Sequence, residues 1–183
     1  HSLAILDNKI VAIGDTNSLK QSISARREIT LQNHLLMPGL INSHGHSPMA
    51  LLRGFADDIP LRPWLEEKIW PAEGRWVSEE FVRDGAALAI AEMLRSGTTA
   101  FTDMYFFPDE VAKVALKANI RALLAAPVLD FPTVWAQDAD EYIRKTTDLN
   151  DRYKNNNLIQ VAFGPHAPYT VSDDPLRHIS TLT

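Results

Sequence analysis

The sequence predicts an α/β fold built around a parallel sheet, and two observations lead to this prediction. Strand-like apolar segments recur along most of the chain, and helix-like segments lie between them. Parallel neighbours need a crossover connection, which these helices would provide. With 45% hydrophobic and 22% charged residues among 183, the chain has enough apolar side chains for a packed core. The alternation is typical of a doubly wound sheet and of a (β/α)8 barrel alike.

The beginning of the chain is predicted to form a small β unit ahead of the α/β region. Leu3–Leu6 and Lys9–Ile13 flank two turn-forming residues, which is the pattern of a β-hairpin. Glu28–Leu31 alternates between polar and apolar side chains and is predicted as a further strand. The predicted boundary therefore separates residues 1–35 from residues 36–183.

Four strands and the helices between them are predicted after this boundary. The apolar run Leu35–Asn42 is typical of a strand buried on both faces. Ser78 and Gly97 mark the start and the end of a helix, because serine caps helix N-termini and glycine commonly follows their C-termini. The remaining predicted elements are strand Thr98–Met104, helix Pro108–Ala118, strand Ile120–Leu129, helix Asp138–Tyr153, strand Leu158–Phe163 and a helix start at Ser172–Pro175.

Composition and charge argue against several classes of function. The net charge of -5 disfavours binding to nucleic acid or to an anionic membrane surface. The absence of cysteine excludes thiol nucleophiles, disulfides and thiolate metal sites. No apolar run is long enough to span a bilayer. We expect a cytoplasmic protein with neither a nucleic-acid nor a membrane partner, in which any metal is held by His, Asp or Glu.

Two histidines directly follow the first predicted strand. Alternate residues of an extended segment point to the same side, so His44 and His46 would project together at the carboxyl end of that strand. Ligands bind at this end of parallel strands, and two converging imidazoles suit zinc or iron. An isolated pair of this kind is more often a solvated loop, but its position here favours a metal site.

A third histidine, His166, follows the fourth predicted strand and lies between Pro165 and Pro168 one and two residues away. Proline restricts the backbone and would direct the imidazole. The alternative interpretation is a helix-entry loop in which His166 only hydrogen-bonds the backbone.

Neither a GxGxxG nor a GxxxxGK[ST] motif occurs in the sequence. The phosphate-binding loop that nucleotide-binding α/β folds need is therefore missing.

These motifs together resemble the amidohydrolase superfamily. Met37–His46 resembles its opening segment, and Leu51–Gly54, Gly97–Thr99 and Gly164–Tyr169 resemble its aminohydrolase branch, in particular the 5′-methylthioadenosine/S-adenosylhomocysteine deaminases and their chlorohydrolase relatives. The resemblance implies a (β/α)8 barrel flanked by a small β-sandwich. The chain would then hold part of the sandwich and the first half, strands 1–4, of a TIM-type barrel, and would be truncated at its C-terminus.

The resemblance also implies an activity and a set of site residues. The activity would be the metal-dependent hydrolytic deamination of an adenosine derivative with release of ammonia. His44 and His46 would bind one divalent metal, zinc or iron. Glu73 would hydrogen-bond the ribose hydroxyls of a nucleoside, and His166 would contact the substrate. By sequence alone, Glu73 could equally be an ordinary surface carboxylate.

The family takes its remaining metal ligands and its catalytic acid and base from strands five to eight, which this sequence lacks. We therefore expect no catalytic residue in the chain and no activity from it alone, and a homo-oligomer is compatible with the sequence. Three alternatives stay open: a chlorohydrolase, a guanine- or cytosine-type deaminase of the same superfamily, and a non-catalytic α/β binding domain.

A substrate preference for 5′-methylthioadenosine over S-adenosylhomocysteine is also expected. Relatives that accept the latter can bind its carboxylate with arginines at and just after the third strand, where this chain has Ala126. Arg121 would lie at the other end of the barrel. Phe131, Val134 and Trp135 would offer an apolar wall suited to a methylthio group.

Overall fold

A β-hairpin and a short helix make up the first of two units in the chain. In the computed structural model, which describes residues 1–183, this unit spans His1–Met37 and the second spans Pro38–Thr183. Strands β1 (Ser2–Leu6) and β2 (Lys9–Gly14) pair in antiparallel fashion. Both residues between them have positive φ, which a two-residue type I′ turn requires. The predicted hairpin is confirmed.

The rest of the first unit contains less regular structure than predicted. Helix α1 (Thr16–Ser22) begins after Asp15, whose carboxylate accepts hydrogen bonds from two backbone amides of the first turn. The predicted strand Glu28–Leu31 is wrong, because this segment has no neighbouring strand with which to pair. The unit contains no buried residue and a single two-stranded sheet. Its membership of a β-sandwich, which needs two packed sheets, therefore stays a prediction.

A four-stranded parallel sheet organises the second unit. Its strands are β3 (Leu40–Asn42), β4 (Thr98–Asp103), β5 (Arg121–Val128) and β6 (Ile159–Pro165), and they lie side by side in chain order. Each consecutive pair is joined by at least one helix, as right-handed parallel connections require. The predicted parallel order of the four strands is confirmed.

The long helices of the second unit begin where their capping residues predict. They are α4 (Glu79–Arg95), α5 (Pro108–Ala118), α6 (Ala139–Tyr153) and α7 (Asp173–Leu182). Ser78 and Asp138 each accept a hydrogen bond from a first-turn amide of α4 and α6 respectively. Ser172 precedes α7 as predicted, but its side chain makes no capping bond. No helix of the structure combines the length and the apolar character that a membrane span needs.

A helical stretch that the sequence analysis did not assign follows β3. It comprises a 3₁₀ turn (Ser47–Leu52), α2 (Leu61–Pro63), a π-helical segment (Trp64–Ile69) and α3 (Trp70–Trp76). The 3₁₀ turn packs closely on α4, where a Cβ added at Gly85 would lie 2.4 Å from a backbone oxygen. Only glycine permits this approach.

The core lies between the sheet and its helices. Val82 and Ile90 from α4 and Val111 from α5 pack with Phe101 and Leu124 from the sheet, and all five are at most 2% exposed. A second cluster joins the end of β5 to α6 and α7. Alternate residues of β5 are fully buried, as expected when one face of a strand packs against helices.

The first strand of the sheet differs from its prediction. Strand β3 covers only the last three residues of the apolar run, and Leu35, Met37 and Ile41 are 86%, 64% and 73% exposed. The expectation of a strand buried on both faces is therefore wrong for this structure. β3 is the edge strand of this sheet and pairs with β4 alone. Burial on both faces requires a further layer packed on each face of the sheet, and Ile41 is not covered in this way.

Candidate metal and substrate site

His44 and His46 lie together just beyond β3, at the carboxyl end of the sheet. Their ring centroids are 5.0 Å apart and the ring planes are inclined at 85°. His44 is exposed and His46 is half-buried. The structure thus brings the two predicted metal ligands side by side.

The loop that carries these histidines is tied to the end of β4. The amide of Met104 donates to the carbonyl of Gly45 at 2.9 Å, and Nδ1 of His46 lies 2.6 Å from the carbonyl oxygen of Met104. A carbonyl only accepts hydrogen bonds, so Nδ1 carries the proton and Nε2 keeps its lone pair. A metal-ligating histidine is commonly oriented in this way, with its second nitrogen bonded to a backbone carbonyl.

Asp103, the last residue of β4, adds a third tie to the loop. Its Oδ1 accepts a hydrogen bond of 2.5 Å from the amide of Ser47. The side chain belongs to a residue only 2% exposed, and burial raises the pKa of its carboxyl to about 6. Asp103 was not among the site residues predicted from the sequence. The signal that could have identified it is an acidic residue near the end of the predicted strand Thr98–Met104.

The two histidines fit one half of a metal site. Imidazole nitrogen is a normal zinc ligand, and tetrahedral catalytic zinc takes three protein ligands. Nowhere does this chain bring three or more His, Asp or Glu side chains into a metal-binding group. Any metal at His44 and His46 therefore needs ligands from outside these 183 residues.

A cavity of about 300 Å³ opens beside His46 at the same end of the sheet. Its walls are mainly apolar and include Trp64, Trp70, Leu129, Phe131 and Val134. A mainly apolar cleft with a few polar groups is typical of a small-molecule site. The polar or ionisable lining residues are His46, Glu73, Tyr105, Thr133 and His166.

Glu73 reaches this cavity from α3. Its Oε1 accepts a hydrogen bond of 2.8 Å from the hydroxyl of Tyr105. Burial raises the pKa of the Glu73 carboxyl, while the bond from Tyr105 acts in the opposite direction. Glu73 is thus half-buried at the cavity wall, and its role in binding stays a prediction.

His166 lines the cavity from the end of β6. Its backbone amide donates to the carbonyl of Val128 at 3.2 Å, and its Nδ1 lies 3.0 Å from the hydroxyl oxygen of Thr170. Burial, and secondarily the proximity of His46, lowers the pKa of His166. The lowered pKa favours the neutral imidazole, which offers one donor and one acceptor.

The residues named for the substrate preference divide into two groups. Phe131 and Val134 line the cavity as predicted, whereas Trp135 packs against Tyr142 with ring centroids 5.7 Å apart. The placement of Ala126 in the site is wrong. Ala126 is fully buried and its neighbour Pro127 lines the cavity instead, because adjacent strand residues point to opposite faces. Arg121 lies at the beginning of β5, away from this end.

This chain belongs to the amidohydrolase family, whose profile matches residues 35–183. It is 52% identical over 181 residues to a 5-methylthioadenosine/S-adenosylhomocysteine deaminase of Saccharophagus degradans, and 55% identical over 179 residues to one of Teredinibacter turnerae. A 5′-deoxyadenosine deaminase of Methanocaldococcus jannaschii is 41% identical over 185 residues. These alignments cover 98–99% of this chain but only 40–42% of the relatives.

Solved structures give the same picture of the fold. The chain is similar to an adenosine deaminase from Xanthomonas campestris with bound zinc, with a TM-score of 0.91 and 46% identity, covering 94% of this chain and 39% of that one. E. coli guanine deaminase has a TM-score of 0.85 at 24% identity, covering 98% and 43%, and supports the fold alone. The prediction of a partial (β/α)8 barrel is confirmed.

Proposed function

We propose that this chain forms part of a metal-dependent hydrolase that deaminates an adenosine derivative and releases ammonia. One observation carries the proposal: His46, Glu73 and His166 come from three distant segments and line one apolar cavity at the carboxyl end of a parallel sheet. The deaminase activities for which similar relatives are named support the reaction and the adenosine-type substrate.

His44 and His46 would hold the metal, and zinc is favoured over iron because a 46% identical structure contains zinc. When bound, zinc would activate water for attack on the substrate ring at neutral pH. The role of this chain is to orient one ligand, since the carbonyl of Met104 fixes the ring of His46 with Nε2 free.

Glu73 and His166 would bind the nucleoside. The Tyr105 hydroxyl occupies one oxygen of Glu73, which leaves the other to accept from a ribose hydroxyl. The neutral imidazole of His166 can hydrogen-bond a heterocyclic base. The cavity walls, which include Trp70 and Phe131, suit the flat apolar surface of an adenine.

We still propose a preference for 5′-methylthioadenosine over S-adenosylhomocysteine, and it now rests on the cavity lining and not on Ala126. No lysine or arginine lines the cavity, so a substrate carboxylate brought there would be left without a charged partner. A methylthio group would gain about 0.8 kcal/mol per buried methylene-sized group against Phe131 and Val134.

The catalytic acid and base would lie outside this chain, in the part of the protein that the relatives possess and this chain does not cover. The 183 residues alone should therefore show no deaminase activity and bind zinc weakly. Two imidazoles supply only half of a tetrahedral set. Turnover by the purified chain, shown to be free of longer enzyme, would contradict this part of the proposal.

The test is a comparison of substrates on the full-length protein with its metal content measured in the same preparation. We expect bound zinc, ammonia release from 5′-methylthioadenosine, and a lower kcat/KM for S-adenosylhomocysteine. Faster turnover of guanine, cytosine or a chlorotriazine would support the alternative enzymes of the superfamily. A metal-free protein that turns over none of these compounds would support the binding domain. A kcat/KM for S-adenosylhomocysteine equal to or higher than that for 5′-methylthioadenosine would mean that a basic residue from outside this chain reaches the cavity.

A further inference from the structure

We propose that Tyr105 is a positioning residue, whose hydroxyl holds the Glu73 carboxylate so that its second oxygen is presented to the substrate. This inference rests on the proposed function, because it assumes that Glu73 binds a nucleoside. It assigns to Tyr105 an effect on binding that acts through Glu73.

Tyr105 is anchored far more firmly than Glu73. It follows β4 by two residues, is 5% exposed, and packs in the core with Val82 and Val111. Its ring also contacts Phe106, with centroids 5.2 Å apart. The phenol hydroxyl is therefore a fixed point at the carboxyl end of the sheet.

Glu73, in contrast, lies near the end of a helical stretch and is only half-buried. Helix α3 has seven residues, none of them buried, and continues directly from the π-helical segment, in which Ile69 is 3% exposed. This continuous helix fixes the backbone of Glu73, whereas the position of its side chain depends on its own contacts.

The bond from Tyr105 is the sole hydrogen bond or ion pair that the chain makes to the Glu73 carboxylate. Glu66, an acidic residue on the preceding π-helical segment, pairs instead with Arg62 at 2.8 Å. Removing the Tyr105 hydroxyl would leave Glu73 with no protein partner and free to adopt other rotamers. A ribose hydroxyl would then have to order the carboxylate on binding, which costs affinity.

The bond also favours the form of Glu73 that a ribose hydroxyl needs. Burial raises the pKa of the Glu73 carboxyl, and the bond donated by Tyr105 opposes this rise. Burial and the neighbouring carboxylate raise the pKa of Tyr105, so the phenol keeps its proton. The pair is thus a fixed donor and an acceptor-only carboxylate.

A double-mutant cycle on the full-length protein tests the proposal, with Tyr105→Phe, Glu73→Ala and the double variant. We expect Tyr105→Phe to lower kcat/KM for 5′-methylthioadenosine about tenfold, mainly through KM, because a hydrogen bond to a charged group is lost. The zinc content should not change. In the Glu73→Ala background, Tyr105→Phe should have no further effect, since the two groups act as one unit.

Two matched comparisons separate this role from a structural one. Tyr153→Phe removes a hydroxyl that donates to the Asp109 carboxylate at 2.9 Å. Neither residue lines the cavity, so this variant should leave kcat/KM unchanged. Tyr105→Phe should lower kcat/KM for adenosine about tenfold and have little effect on 2′,3′-dideoxyadenosine, which lacks the ribose hydroxyls.

The outcomes that overturn the proposal are distinct. Wild-type kinetics in Tyr105→Phe, additive losses in the double variant, loss of zinc, or equal losses for adenosine and its dideoxy analogue would each exclude a role through Glu73. If Glu73→Ala itself leaves nucleoside turnover unchanged, the nucleoside-binding role under the proposed function fails first.

Discussion

The helix-packed side of the sheet and the cavity at its carboxyl end differ in how far their side chains are exposed to solvent. On the packed side, Val82, Val111 and Leu124 are fully buried, and their contacts are apolar. At the cavity, Trp70, Phe131 and Val134 are 38–39% exposed. One region excludes solvent completely, whereas the other leaves apolar surface and imidazole nitrogens accessible.

This difference shows how stability and binding are divided within one unit. The packed side supplies the burial that holds the strands in register. The cavity holds the groups available for binding, and the buried Asp103, which does not line it, orders the loop of the predicted metal ligands. Substitutions on the packed side should therefore change the free energy of unfolding, and those in the cavity should change metal or substrate binding.

His46→Ala should have the largest effect and should act mainly through loss of the metal. Loss of a group that merely orients a ligand costs roughly 10–100-fold in metal affinity or activity, and removal of the ligand itself should cost more than about 100-fold. Zinc analysis and kinetics of the full-length variant provide the measurement. His178→Ala, at a half-exposed position on α7, is the control. A variant that keeps full zinc and full rate would show that His46 is not a ligand.

Leu124→Ala should show the converse behaviour on the packed side. Leu124 is completely buried, with 0% relative exposure. Its truncation should therefore lower the free energy of unfolding by about 2–5 kcal/mol. Zinc content should not change. Leu88→Ala, at a position on α4 that is 41% exposed, should cost far less. Denaturant unfolding decides the matter, and equal costs for the two variants would argue against the packing described.

Glu73→Gln should keep the zinc and lose nucleoside turnover. Exchanging a carboxylate for an amide weakens hydrogen bonds worth about 1.5–3 kcal/mol, which corresponds to a fall in kcat/KM of roughly 10–150-fold. Glu80→Gln, in the exposed first turn of α4, is the control. An unchanged rate on 5′-methylthioadenosine would remove Glu73 from the substrate site.

Asp103→Asn should have the smallest effect and should reveal itself through pH. Burial raises the folded-state pKa of Asp103 to about 6, above its ordinary value of 3.8, so the folded protein binds this proton more tightly than the unfolded chain does. The associated stability is fully present below the ordinary pKa and is lost as pH rises through about 6. Asparagine cannot ionise, so from pH 4 to pH 7 the variant should gain about 2 kcal/mol relative to the wild type.

Unfolding of the metal-free full-length protein at several pH values provides the measurement. The asparagine carbonyl can still accept from the amide of Ser47, so the local bond is kept in both proteins. A difference in stability that stays constant with pH would show that Asp103 does not titrate near pH 6.

The sequence by itself determined the elements whose signals are local. Ser78 and Asp138 cap helices because each side chain accepts a hydrogen bond from an amide only three residues away. The pairing of His44 with His46 follows from spacing in one extended segment. The parallel order of the sheet follows from helices between strands.

Only the tertiary structure decided which distant residues meet and which faces are covered. The bonds from Tyr105 to Glu73 and from Ser47 to Asp103 join residues 32 and 56 positions apart, which no local pattern encodes. Ala126 points away from the cavity because of the register in which β5 pairs with β6, which decides the face on which each of its residues lies. The exposure of Ile41 depended on what packs against the faces of β3. Burial is a property of what packs against a residue, so the apolar pattern alone could not predict it.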